Sequence, residues 1–344
     1  MVLAVINRTR RRTARPLLAW RPAPGTLYSI IVAFALIGLE QLLSAVPDLE
    51  GADTLNSNLP TAIVANGHTL LLEISKNNSE QVDYWAVRRD TTAIRLYQRP
   101  GVDPNASFAL IGIPYETKPG PDTLSLEWSV GDNLYIREIP FRIVAGPYKA
   151  ESITGVDQSR VAPDAAALER IASERKIIAE AYVAVRDTAM MDGPFKWPVE
   201  NRVVTSMYGN RRVFNGQLRS FHGGLDLRAR EGTPIYSAQS GVVKLARNLF
   251  YSGNHVLVEH GMGVHTSYSH FSTIEVTEGQ WVEQGQLLGL AGATGRVNAA
   301  HLHWTTSVNG IGVSPLQCVE ILEAVYGRQT EEKQSADGSQ QENP

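Results

Sequence analysis

Residues 253–270 read Gly-Asn-His-Val-Leu-Val-Glu-His-Gly-Met-Gly-Val-His-Thr-Ser-Tyr-Ser-His. Two apolar-rich runs, 255–259 and 264–270, flank a pair of glycines, the pattern of two short strands joined by a tight turn. The same texture continues on both sides, in Gly241-Val-Val-Lys-Leu-Ala and Leu287-Leu-Gly-Leu-Ala, with glycines 279, 285, 289, 292 and 295 between runs. No helical period emerges until Val319-Glu-Ile-Leu-Glu-Ala-Val. Residues 198–322, entered at Pro198, therefore read as an all-β domain.

Moving outward, residues 160–190 change period. Pro163-Asp164 can open a helix, and Leu168, Ile171, Ile178, Tyr182 and Val185 recur on one face at three- and four-residue steps. This reads as a connecting helix packed on one side. Residues 58–148 carry seven short apolar runs, from Thr61-Ala-Ile-Val to Phe141-Arg-Ile-Val, separated by turn signals such as Asn66-Gly67 and Arg99-Pro100-Gly101. Such spacing predicts a small, Ig-like antiparallel β-sandwich. His68, beside a turn, is expected to be solvated, and the Asn-x-Ser matches at Asn77 and Asn105 to be surface polarity. The tail 327–344 lacks an apolar pattern and is expected to be disordered.

Charge separates the N-terminus from the body. Residues 1–26 hold six arginines and no acid, leaving 26 basic against 35 acidic residues in the remainder. So acidic a body is a poor nucleic-acid binder, because phosphate binding rests on clustered Lys and Arg. The basic segment precedes an apolar stretch, 27–46, interrupted by Glu40. Arginines before such a run mark a signal peptide or a membrane anchor, and the residues leave both open. Export follows either way. The single Cys318 excludes an internal disulfide and is expected to be a small buried apolar residue.

Seven of the eight histidines lie between 222 and 303. Two patterns carry chemistry. In His222-Gly-Gly-Leu-Asp226, glycines allow an imidazole and a carboxylate to face one point. In His301-Leu-His303-Trp304, residues two apart on a strand share a face, and Leu302, Trp304 and Val308 take the other. Two histidines and an acid without cysteine fit an open catalytic zinc site, where the metal activates water and polarises a carbonyl. Further histidines would orient the water and move protons. By strand alternation, His265 points away from His270, which stays a candidate; His255, His260 and His265 read as ordinary satisfied polar residues.

Around these residues the chain resembles metallopeptidase family 23, the lysostaphin or LytM-type enzymes that cut peptide cross-links of bacterial peptidoglycan. The likeness spans about 200–316: Thr205-Ser-Met-Tyr-Gly-Asn-Arg-Arg, Phe221-His-Gly-Gly-Leu-Asp-Leu, Gly253-Asn-His-Val-Leu-Val-Glu-His-Gly, Tyr268-Ser-His-Phe-Ser, Gly292-Ala-Thr-Gly-Arg and His301-Leu-His-Trp. Ile111-Gly-Ile-Pro-Tyr-Glu-Thr-Lys-Pro-Gly also resembles the N-terminal β-domain of a proteobacterial branch. The resemblance implies a β-sandwich peptidase domain, one zinc per chain on His222, Asp226 and His303, and His270 and His301 as catalytic partners beside it. It further implies stem peptides as substrate, D,D-endopeptidase activity and a periplasmic or inner-membrane-anchored location. Ala300 departs from the family's proline, and Arg228 and Arg230 replace small residues; neither removes a ligand.

Two other readings compete. Some relatives keep the fold, lose ligands and activate other cell-wall hydrolases, whereas here all five positions are filled. Gly279-Gln-Trp-Val-Glu-Gln-Gly-Gln-Leu-Leu resembles a lipoyl or biotinyl carrier hairpin, yet the only lysine between 197 and 332 is Lys244, away from such a tip.

Overall fold

Alternation of apolar side chains builds two sheets in the first half of the molecule, seen in a computed structural model that describes residues 29–33, 62–75, 84–98, 106–130, 132–183, 186, 188–191 and 193–326. The basic segment 1–26, most of 27–46, Asn77, Asn105, Val185 and the tail from 327 lie outside those residues. By its contacts the chain divides into two units. One comprises 1–66, 70–111 and 117–145; the other comprises 67–69, 112–116 and 146–344.

In the first unit a five-stranded sheet runs in the order Ala62–Ala65, Asn133–Val144, Gly120–Val130, Tyr84–Arg89, Thr92–Ile94. Leu124, Leu126 and Trp128, like Ile139, Phe141 and Ile143 beside them, are buried while their neighbours are not, so one face of this sheet makes core. A four-stranded sheet has the order Ser29–Ala33, Thr69–Ser75, Ala106–Gly112, Tyr97–Gln98. Two details depart from expectation. Residues 62–65 pair with 141–144 in parallel, so the unit is not purely antiparallel. The run 93–97 is broken into two short strands, one in each sheet. Of the candidate signal or anchor segment, Ser29–Ala33 forms a strand beside Thr69–Ser75. Among the described residues no helix is long and apolar enough to cross a membrane.

The second unit is built on a sheet with the order Val204–Ser206, Leu225–Leu227, Leu302–Val308, Val264–Ile274, Gly253–Glu259, Gly241–Leu249, Trp281–Val282. Leu225, Leu227, Leu302, Trp304, Val308, Val256 and Tyr268 are almost fully buried and form its core. A separate three-stranded sheet pairs Ala150–Ile153 with Arg211–Phe214, and that strand with Leu218–Phe221.

Helix Ala165–Val183 starts where Asp164 accepts a hydrogen bond from the Ala167 N–H at 2.8 Å, a capping contact. Its Ile177, Ile178, Ala181 and Tyr182 pack on Leu245 and Leu257 of the main sheet. Each fully buried aliphatic side chain there contributes about 1.5–3 kcal/mol. Leu168, expected on that face, is 54% exposed, because the packed stripe begins one turn later at Ile171. His68 is a second correction: it is half-buried, its Nδ1 lacks a partner, and burial lowers its pKa to about 4. Cys318 is fully buried and its thiol is pushed up to about 11 by burial. It lies in helix Pro315–Tyr326, which extends beyond the periodic run seen in sequence.

Candidate metal centre

Asp226 is the middle residue of Leu225–Leu227, and both flanking leucines point into the core, so the carboxylate points the other way. Its cross-strand partner is His303, whose own partner on the next strand is Ser269. Partners on adjacent strands share a face, so Asp226 and His303 meet directly. His222 follows the strand Leu218–Phe221, its N–H donating to Asn210 O at 2.8 Å. Gly224 lets the connection pass close by: a Cβ there would stand 2.6 Å from Trp304 O and 2.8 Å from His303 Cε1.

Three donor atoms converge at this point. His222 Nε2 lies 2.9 Å from Asp226 Oδ1 and 3.0 Å from His303 Nδ1, which is 2.8 Å from the same carboxylate oxygen. The His222 tautomer is set from behind: Nδ1 is 2.7 Å from Met207 O, and a carbonyl only accepts, so Nδ1 carries the proton. In the neutral ring Nε2 is then a lone pair facing a carboxylate, an arrangement that a shared cation satisfies. The donor separations are slightly below the roughly 3.4 Å expected between ligands on a tetrahedral zinc with bonds of about 2.0–2.2 Å. The donor set therefore fits that metal.

The other carboxylate oxygen is engaged. Arg212 donates to Asp226 Oδ2 at 2.5 Å, to Ser206 Oγ at 2.8 Å and to Glu151 at 3.1 Å. Glu151 also accepts from Asn210 at 2.6 Å and from Ser206 at 2.8 Å. Burial raises the Asp226 pKa, but the close approach of the His222, His301 and His303 rings outweighs it and holds the carboxyl well below its ordinary range. Burial lowers His303 to about 4, against the opposing pull of Asp226.

His301 and His270 stand beside this triad in matched settings. His301 Nδ1 donates to Ala299 O at 2.9 Å, and its Nε2 sits 3.5 Å from Asp226 Oδ1. His270 Nδ1 donates to Thr294 O at 2.7 Å, and its ring centre is 5.0 Å from that of His301. In both, a carbonyl of the loop after Ala291 fixes the protonated nitrogen and leaves Nε2 available. Burial, reinforced by His301 and His303, keeps the His270 pKa well below its usual value. Burial also opposes charge on His301, but its hydrogen bond to Asp226 wins and raises the pKa.

Contrary to strand alternation, His265 does not point away from the site. Register places Ser269, Ser267 and His265 opposite His303, Thr305 and Ser307, so His265 shares the face of His303. His270 reaches that face too because the strand is irregular opposite Asn254–Val256 and His270 adopts φ +68°. What separates His265 from the site is distance along the strand and Tyr182, whose ring lies 5.0 Å away. His255, read as ordinary, is 3.0 Å from Ser269 Oγ and within electrostatic reach of His303. Sequence spacing gave no sign of Arg212 or Glu151; the motif 205–212 includes the first, and no motif includes the second. Arg228 and Arg230 are exposed and make no part of this network, and Ala300 is half-buried.

Residues 220–315 match the model of peptidase family M23. The chain carries a peptidase M23 domain. The domain is 39% identical over 124 residues to the peptidoglycan DD-endopeptidase ShyA of Vibrio cholerae, covering 36% of this chain and 29% of that protein. It is 38% identical to ShyC of the same organism, covering 42% of this chain and 33% of the relative. The match thus spans about a third of the length of these relatives. A crystal structure of a peptidase M23 candidate from Pseudomonas aeruginosa superposes with TM-score 0.53 at 26% identity, covering 74% of this chain and 94% of that one. Its breadth shows that the fold beyond the M23 domain is shared as well.

Proposed function

We propose that this protein is an exported zinc metalloendopeptidase that hydrolyses peptide cross-links of peptidoglycan, as a D,D-endopeptidase in cell-wall remodelling. One observation carries the reading: His222 Nε2, Asp226 Oδ1 and His303 Nδ1 converge within 3.0 Å on the M23 domain, with the His222 proton held away from the meeting point. The likeness to two peptidoglycan DD-endopeptidases supports the substrate class. When bound, the zinc supplies Lewis acidity, which lowers the pKa of water and polarises the scissile carbonyl.

The remaining work falls to the chain. Met207 O, Ala299 O and Thr294 O pin the Nδ1 protons of His222, His301 and His270. His270 Nε2 can accept a proton from the attacking water, while His301 Nε2 can donate to the carbonyl oxygen as charge develops or to the leaving amine. Arg212 keeps Asp226 from rotating by holding Oδ2. The arginines of 1–26 and the apolar run 27–46 direct export to the periplasm, as a cleaved signal or an inner-membrane anchor.

The test is digestion of purified sacculi by the full chain, with and without chelator, followed by mass spectrometry. Cross-linked dimers should fall to monomers, stop with chelator and resume with zinc. Persistence of the dimers under every condition would leave a non-catalytic wall-binding role and overturn the enzyme reading. Fractionating the producing cells tests export; recovery in the cytosol would overturn that part.

A further inference from the structure

Arg296 is half-buried, and no side chain or carbonyl among the described residues is in hydrogen-bond or ion-pair contact with its guanidinium. Two aromatic rings hold it instead: its Cζ lies 4.6 Å from the ring centre of Phe214 and 4.4 Å from that of Tyr251. Ring faces stabilise the cation without consuming its N–H groups, so five donors stay unspent. The main chain is fixed as well, since Arg296 N–H donates to Tyr251 O at 2.8 Å. Such an arginine is preorganised and lacks its anion.

Its position ties it to the chemistry. Arg296 sits on the loop whose Thr294 and Ala299 carbonyls hold His270 and His301. Phe214, its other support, stands two residues from Arg212 on one strand, so both side chains leave the same face, and Arg212 reaches Asp226. Burial disfavours the Arg296 charge and so does the nearby charge of Arg212, while Tyr251 favours it. An incoming anion would relieve both penalties.

We infer that Arg296 binds the free carboxylate of the substrate residue that keeps the amine after cleavage. The inference rests on the endopeptidase reading and sharpens it. In a direct D-alanyl–diaminopimelate cross-link, the scissile nitrogen is attached to a carbon that also bears a carboxylate; in a glycine bridge the following residue has none. A planar guanidinium matches that group with paired hydrogen bonds. Arg296 is thus a specificity residue, selecting direct cross-links over bridged ones.

The test uses a purified cross-linked dimer and the same dimer with that carboxylate amidated. Calorimetry without turnover, on chelated wild-type protein, should show roughly ten- to hundred-fold weaker binding of the amide, the range for a lost charged hydrogen bond. Arg296→Met, which retains length for packing between the rings, should bind both forms equally, with an unchanged melting temperature. In the zinc-loaded enzyme, kcat/KM should show the same loss of preference. Equal binding of both dimers by wild type, or a preference surviving in Arg296→Met, would overturn the inference. Absence of cleavage alongside an intact binding preference would instead count against the enzyme reading.

Discussion

The strand Val264–Ile274 carries two histidines on the same face of the sheet, and only one stands at the candidate site. At one end, His270 has Nδ1 tied to Thr294 O, Nε2 left available, and His301 and His303 as neighbours. At the other, His265 is sealed edge-on against Tyr182 beneath helix Ala165–Val183. Residue type, strand and face are shared; what differs is the covering. A histidine becomes chemically usable where a carbonyl fixes one nitrogen and nothing packs on the other. Where a helix covers it, burial dominates and lowers its pKa to about 4, against the opposing charge of Glu259.

The largest effect should come from removing a candidate ligand at the open end. Asp226→Ala or His222→Ala should abolish sacculus digestion and zinc retention, whereas His265→Phe should leave both intact. Next come the two carbonyl-anchored histidines. His301→Ala or His270→Ala should lower kcat by about 10²–10⁴, the usual span of acid–base catalysis, with zinc content unchanged. Arg212→Met removes the brace on Asp226 and should cost about 10–100-fold in metal affinity, measured by competition with a chelating dye.

The smallest effect belongs to the covered end and appears as stability against pH. His265 and His260 are lowered by burial to about 4 and about 3. The unfolded chain therefore binds more protons than the folded one between those values and the ordinary 6.5. Stability is fully present above about pH 6.5 and declines as pH falls toward 4. His265→Phe should flatten the dependence of melting temperature on pH in that window; an unchanged slope would show that His265 contributes nothing to it.

How much of this was legible in the sequence depends on range. Alternation and glycine spacing announced the strands, and His222, Asp226, His301 and His303 stood out because each pair lies within four residues. Parity misplaces His265 relative to His270 because the strand between them is not regular, and a residue with φ +68° leaves no local mark in a Ser-His-Phe run. Leu168 failed for a related reason: periodicity gives a face but not where packing begins. The Glu151–Arg212–Asp226 chain was invisible because its members are 61 and 14 residues apart and meet only once the small sheet forms.

The central claim is that His303 holds the metal while His270, facing the same site, does not. Zinc counted per chain by mass spectrometry of the purified protein tests this in one step. His303→Ala should contain none, and His270→Ala should keep one zinc per chain while losing activity. Retention of zinc in His303→Ala, or its loss in His270→Ala, would contradict the assignment.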